Sequence, residues 1–294
     1  MEKILLDTDI GGDIDDALCL AYLLQEPQCQ LLGITTVCGA SETRASIADA
    51  ICRSAGRKVP IAAGLDTPLQ PIPLYPTPDG ASALANWPHD AYEKTDAPAF
   101  LYQAIKSNPH EVTLIGIGNM TNIAVLFERY PDTPALLKGL TVMNGYFGDA
   151  PLPEPWHNWN SWSDPLASSI VFSLRGPVHR AISLDVTARL SLPAEQAKLL
   201  FPRQTPLLQA VLDFGAAWLQ SAQMLTLHDP LAAVSVFHPE ICSFVRGDVS
   251  VETNDPAKMG ATRFTQNDAG AVEISTEVNV PLFYQLLSQT LVPA

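Results

Sequence analysis

Short apolar runs alternate with longer stretches of helical period through the first two thirds of the chain. Residues 3–6, 31–37 and 59–63 read as strands, with helices expected over 15–25 and 42–55 between them. The alternation continues with a strand at 111–117, a helix at 120–128, a strand at 139–143, a helix at 165–174 and a strand at 178–184. This order implies an α/β fold with a mainly parallel central sheet and helices on both faces. The last third adds short strands at 248–252, 261–265 and 270–275 and a closing helix over 281–291. Two stretches carry no period: 64–98, rich in proline and small residues, and 145–162, which holds Tyr146, Phe147, Trp156, Trp159 and Trp162. Long irregular segments in a compact domain are usually functional. No fixed repeat and no Gly/Ser linker divides the chain, so residues 1–294 are expected to form a single domain.

Composition narrows the partners. The 294 residues hold 31 acidic against 17 basic side chains, a formal charge of −14. Such an excess cannot neutralise phosphates in bulk, so nucleic acid and an anionic membrane surface are excluded as partners, whereas a cation is favoured. Five cysteines without a CxxC pair argue against a disulfide framework or structural zinc. The N-terminus has no apolar leader, and no run approaches the ~18 apolar residues of a membrane span. A soluble, cytoplasmic protein is expected.

The densest chemistry lies in Asp7-Thr8-Asp9-Ile10-Gly11-Gly12-Asp13-Ile14-Asp15-Asp16-Ala17, five carboxylates within ten residues, after a strand and before a helix. Ligand sites in parallel sheets gather at the carboxyl ends of strands. So many anions share a small volume only when protonated, solvated or neutralised by a cation. Oxygen donors suit Mg²⁺ or Ca²⁺, and a flexible multi-carboxylate set leans toward Ca²⁺. Helix capping by Asp13, Asp15 and Asp16 accounts for one or two acids but not five. Spacing alone leaves open a phosphoryl-transfer Asp-x-Asp site and a site that activates water.

Here the sequence resembles the nucleoside hydrolase family, the inosine-uridine preferring nucleoside N-ribohydrolases. That family opens with a strand and Asp-Thr-Asp-Pro-Gly-x-Asp-Asp-Ala, to which residues 7–17 correspond. The likeness continues through Gly33-Ile34-Thr35-Thr36-Val37-Cys38-Gly39, Val59-Pro60-Ile61-Ala62-Ala63-Gly64 and Gly118-Asn119-Met120-Thr121-Asn122-Ile123-Ala124. Val142-Met143-Asn144-Gly145, Asn158-Trp159-Asn160-Ser161-Trp162-Ser163-Asp164-Pro165 and His228-Asp229-Pro230-Leu231-Ala232 complete it. The blocks run in family order over nearly the whole chain.

The resemblance implies a Rossmann-like nucleoside hydrolase fold and hydrolysis of a ribonucleoside to ribose and free base, with Ca²⁺ gripping the sugar hydroxyls and a water. It implies Asp9 as general base and metal ligand, Asp15, Asp16 and Asp229 as carboxylate ligands, and Ile117 as a carbonyl ligand. Asp13 stands four after Asp9, where the family's first paired Asp falls, and competes with Asp15 as ligand. His228 is placed as the general acid. Asn160, Asn158, Met143, Trp159 and Tyr146, with Asp16 and Asp229, are expected to line the substrate site. Stacking on a base engages some of Trp87, Tyr146, Phe147, Trp156, Trp159 and Trp162, about half of which are expected to be packing residues. Ala40 and Asn158 depart from the family's Asn and Glu, which removes one sugar contact, neutralises another and leaves the 5′ end of the substrate open; His157 stands near enough in sequence to add a contact. Homodimers or homotetramers are the family's habit.

Two other classes fit parts of the pattern. A haloacid-dehalogenase-like Mg²⁺ phosphatase shares Asp-x-Asp after the first strand, but needs a later lysine at a strand's carboxyl end, which neither Lys106 nor Lys138 supplies. A non-catalytic nucleoside- or sugar-binding relative would most simply lack Asp9 or His228, and both are present.

Overall fold

The computed structural model describes residues 1–70, 78–148, 158–176 and 178–292. One sheet of nine strands runs through the molecule. In chain order they are β1 (Glu2–Thr8), β2 (Cys29–Thr36), β3 (Ile61–Ala63), β4 (Val112–Gly116), β5 (Gly139–Met143), β6 (Val178–Ile182), β9 (Cys242–Val251), β10 (Thr262–Gln266) and β11 (Val272–Val278). Strands β7 (Ser191–Pro193) and β8 (Met224–Thr226) form a separate antiparallel pair. The order across the large sheet is β10-β9-β11-β6-β5-β4-β1-β2-β3. Every neighbour from β3 to β11 is parallel, and β9 pairs antiparallel with β11 and β10.

The portion β3-β2-β1-β4-β5-β6 is the doubly wound order, whose crevice opens at the carboxyl ends of the two strands where the winding reverses. Those strands are β1 and β4. Along β1, Ile4 and Leu6 enter the core on one face while Leu5 joins the core on the other, as pleat alternation requires. Helix α1 (Asp15–Gln25) is buried from Asp15 to Leu24, because the sheet covers one side and the helices Pro206–Phe214, His228–Phe237 and Val280–Leu291 cover the other. A helix apolar all round belongs in such a layer. Helix α2 (Ser41–Ser54) flanks it, while α3 (Ala97–Lys106) and α4 (Thr121–Arg129) pack together beside the Leu5 core.

The expected mainly parallel α/β sheet is present, with differences at the boundaries. The first strand runs on to Thr8, because Asp7 and Thr8 continue the ladder: the Ile117 amide bonds Asp7 O at 2.8 Å and the Val37 amide bonds Thr8 O at 3.1 Å. The stretch 64–98 contains a 3₁₀ segment, Asp79–Asn86, and is followed by α3, which the periodicity reading did not assign. Its signal was local: Asp96 caps the Ala99 amide at 3.1 Å and Pro98 occupies the first turn. The strand expected at 248–252 overlaps the end of the ten-residue β9 (Cys242–Val251), whose earlier positions mix buried, half-buried and exposed residues and carry no long apolar run. All five cysteines are buried and free. Among the described residues, no helix is long and apolar enough to cross a membrane.

At the amino end of the sheet, His179 on β6 is 3% exposed, and neither ring nitrogen has a partner among the described residues. Its ring stacks on Phe172 at 6.2 Å. Burial lowers its pKa to about 4, so the folded chain holds it neutral while the unfolded chain protonates near 6.5. Its contribution to stability is therefore complete above pH 6.5 and declines as pH falls toward 4. We expect His179→Phe to gain on the wild type by about 2 kcal/mol between pH 7 and pH 5 in urea midpoints. An unchanged difference between the two pH values would show that this ring does not titrate out of step with folding.

Candidate active site

The site lies at the carboxyl edge of β1, β2, β4 and β5. Asp9 follows β1 directly, Ile117 follows β4, and Met143 ends β5. Asp13, Asp15 and Asp16 bring carboxylate oxygens within 4.8 Å of one another, a group able to hold a metal ion. The helix His228–Phe237 packs against α1 and delivers Asp229, whose amide lies 3.3 Å from Asp15 Oδ2. The capping alternative for the early acids is not what the structure contains. The residue at the N-cap of α1 is Ile14, with no side-chain cap bond, and the helix of Asp229 likewise begins from Leu227 without one.

Burial sets the electrostatics. Asp15, Asp16 and Asp229 are 2%, 4% and 4% exposed, and desolvation, followed by neighbouring carboxylates, pushes each pKa well above the ordinary range. Asp9 is raised as well, first by burial and then by Asp13, against the opposing pull of Arg44. Asp7 points the other way, into the fold: Thr35 and Asn122 donate to its Oδ1, its Oδ2 has no partner among the described residues, and burial raises it to about 7. Crowded carboxylates at a switch point, raised by one another, are the donor set a hard divalent cation relieves. The residues present fit such an ion.

Neighbouring side chains fix the acids. The Thr8 hydroxyl donates to Asp16 Oδ1. The indole of Trp159 donates to Asp9 Oδ2 at 3.2 Å, while its ring, 37% exposed, sits 5.4 Å from that of Trp162. Asn160 is buried and its Nδ2 donates to Ile117 O at 2.6 Å and Met143 O at 2.9 Å, linking the ends of β4 and β5. Asn158 caps the short helix Trp159–Ser163 by accepting the Ser161 amide at 3.1 Å. Asp164 caps the next helix, Pro165–Ser173, and also accepts Thr121 Oγ1 at 2.6 Å and the Leu69 amide at 2.7 Å, which anchors the start of the proline-rich stretch.

His228 is half-buried, and its Nδ1 lies 2.7 Å from Thr187 Oγ1. Burial lowers its pKa to about 4, opposed by the charge of Asp13. Tyr146 is held through its backbone, whose N–H and carbonyl both bond Thr262 Oγ1, at 2.9 and 2.8 Å. Of the other aromatic candidates, Trp87 donates to Asp213 at 3.2 Å and packs on the core, and Phe147 packs 6.0 Å from Phe264. Trp156 and His157 lie outside the described residues.

The turn after β2 is strained. Cys38, Gly39 and Ala40 take φ of 71°, 67° and 50°, and the two non-glycine residues cost about 1–2 kcal/mol each. Sequence reasoning passed over Arg44, which spans this turn and the Asp9 loop, and Thr187, which orients His228. Arg44 did carry a signal, a cation in the first turn of a helix where the dipole disfavours it. Thr187 carried none, being forty-one residues from its partner.

A model of the inosine-uridine preferring nucleoside hydrolases matches residues 4–285. The chain belongs to that family. Its chemistry, hydrolysis of an N-glycosidic bond, is that of an N-glycosyl hydrolase. A probable uridine nucleosidase 1 of Oryza sativa subsp. japonica is 28% identical over 86% of this chain and 82% of its own length. The non-specific ribonucleoside hydrolase RihC of Escherichia coli is 28% identical over 98% of this chain and 97% of its own. In fold, the purine-preferring ribonucleoside hydrolase of Gardnerella vaginalis superposes with a TM-score of 0.81 at 24% identity, over 99% of this chain and 98% of that one. A plant nucleoside hydrolase, PpNRh1, gives 0.80 at 22% over 100% and 99%.

Within this nucleoside hydrolase, Gly118 marks how closely β4 approaches the acid loop. A Cβ there would lie 2.7 Å from Val37 Cγ1 and 2.9 Å from the Asp9 amide nitrogen. Gly118→Ala is expected to displace Asp9 and to destabilise the protein by about 1–3 kcal/mol. Thermal melting and turnover measured together check this, and wild-type values in both would show that the loop has room to spare.

Proposed function

We propose that the chain hydrolyses ribonucleosides to ribose and free base with Ca²⁺ as its resident ion. The observation that carries this reading is the convergence of Asp9, Asp13, Asp15, Asp16 and Asp229, from opposite ends of the chain, on the crevice between β1 and β4. The family supports ribonucleoside hydrolysis, and a donor set of four or five carboxylates with a carbonyl favours Ca²⁺, which takes six to eight oxygen ligands, over a smaller octahedral ion.

Asp15, Asp16 and Asp229 would hold the ion, with Asp13 as a further or alternative ligand and the Ile117 carbonyl completing the set alongside Asp9. Bound there, such an ion would supply Lewis acidity toward a water and the sugar's vicinal hydroxyls. Asp9 accepts the proton of the water that attacks the anomeric carbon, with Trp159 holding its Oδ2. As the glycosidic bond breaks, positive charge builds on the sugar ring, and the surrounding carboxylates stabilise it. The negative charge goes to the departing base, which needs a donor. With a pKa near 4 the His228 ring is neutral at pH 7 and has one N–H to offer. Thr187 Oγ1 holds the ring through Nδ1, and in the tautomer with its N–H on Nε2 the neutral ring offers the leaving base a hydrogen bond. Asn160 positions the carbonyls beneath the sugar, and Tyr146 and Trp159 supply aromatic surface for the substrate. Relatives include uridine nucleosidases and a non-specific hydrolase, so pyrimidine nucleosides are the first substrates to try. Ala40 and Asn158 leave the 5′ end less tightly held than in a site with Asn and an acid there.

The phosphatase alternative needs a lysine beside Asp9 to balance the phosphoryl charge. Lys106 ends α3 and Lys138 precedes β5, where it bonds Glu2, so both stand at the opposite edge of the sheet.

The deciding experiment is base release from uridine, inosine and other common nucleosides, with Ca²⁺ and after chelation. Release with Ca²⁺ and none without is expected, together with a Tm lower by about 5 °C in the chelated protein, as a ligand at a hundredfold its Kd stabilises by about 2.7 kcal/mol. Riboside binding with no base released from any nucleoside would replace the hydrolase with a binding protein. His228→Ala is expected to slow inosine or uridine by about 10²-fold or more while sparing p-nitrophenyl riboside, whose leaving group departs unaided. Equal slowing of both would remove His228 from the leaving-group role.

A further inference from the structure

We propose that Arg44 is a positioning residue for hydrolysis: its buried guanidinium braces the loop after β1 against the turn after β2 and so fixes the Asp9 carboxylate in the crevice. The inference rests on the reading of Asp9 as the proton acceptor. Arg44 is 1% exposed, the largest fully buried side chain of the protein among the described residues. Its Nη1 donates to the carbonyls of Asp9 and, at 3.0 Å, Ile10. Its Nε donates to the carbonyls of Gly39 at 2.9 Å and Cys38 at 3.1 Å. One side chain thus grips four carbonyls on two loops that meet at the site.

Two further observations set this apart from ordinary packing. A cation in the first turn of α2 opposes the helix dipole, so helix formation does not explain its presence. The carbonyls it holds at Cys38 and Gly39 belong to the run of left-handed residues, a backbone that needs outside support to persist. A planar fork suits this geometry. The ammonium of lysine, a compact point charge at the end of a flexible stem, cannot reproduce it.

The test compares wild type with Arg44→Lys and Arg44→Met in the full chain. With Ca²⁺ and p-nitrophenyl riboside, both variants are expected to lose about 10²-fold in kcat with KM changed by less than about threefold. In metal-free protein the amides of Ile10, Cys38 and Gly39, each hydrogen-bonded here, should exchange with solvent about tenfold faster, while those of β11 keep their wild-type rates. Wild-type kcat and wild-type exchange at those three amides in a folded variant would overturn the proposal, as would protection lost evenly along the chain. Should neither variant fold, the wild type still decides it. The Arg44 Nε–H must then exchange far more slowly by NMR than that of the exposed Arg129, and a solvent-like rate refutes the brace. A wild type that releases no nitrophenol or base overturns the hydrolase reading itself, and the exchange rates then judge the brace alone.

Discussion

Like-charge crowding is the constraint on which the site depends. Four aspartates at the head of a buried helix and a fifth from a distant helix meet in one crevice, where Asp15, Asp16 and Asp229 are almost wholly buried. Left as anions they repel one another, and taken out of water each loses its hydration. The protein offsets part of this with neutral donors, Thr8 to Asp16, Trp159 to Asp9 and the amide of Asp229 to Asp15, and with the remote charge of Arg44. The balance is left to a ligand. A fold that stores electrostatic cost in one crevice is disposed to bind whatever positive charge fits there, whether a cation or a ring becoming cationic as its bond breaks.

Much of the fold could be read directly. The doubly wound alternation of strand and helix is plain in the first 184 residues, because strands buried on both faces are continuous apolar runs and their helices carry a clear period. The stretch 188–227 was harder. It folds into two three-residue strands and helices of three to nine residues, of which Pro206–Phe214 takes its place by packing against α1 and α2, and no local pattern encodes that. The half-exposed β9 was misjudged in length for a related reason: its ladder partners β10 and β11 lie later in the chain, and pairing rather than sequence sets its extent.

The candidate site divides the same way. The acid cluster announces itself because its members are close in sequence and excessive for capping. Side chains that reach the site from far along the chain were passed over, Thr187 for want of any local signal and Arg44 despite its place at a helix start. Thr187 reaches His228 across forty-one positions, and Arg44 reaches Asp9 across thirty-five. Asn158 shows the opposite case, a polar residue in a promising block whose oxygen is occupied by its own helix. Sequence supplies the inventory of reactive groups; which of them face one another is decided by three-dimensional closure.

The antiparallel extension of the sheet matters beyond completing it. Through Thr262 it clasps the backbone of Tyr146 on both sides, and near its turn Gly260 lies against the backbone of Ser161 and Trp162, next along the chain from Asn160. This hairpin meets the rim of the crevice at Tyr146, Ser161 and Trp162. Changes in its turn can therefore reshape what enters while the hydrolytic floor stays untouched, so that selectivity and reactivity are free to evolve on separate pieces of one sheet.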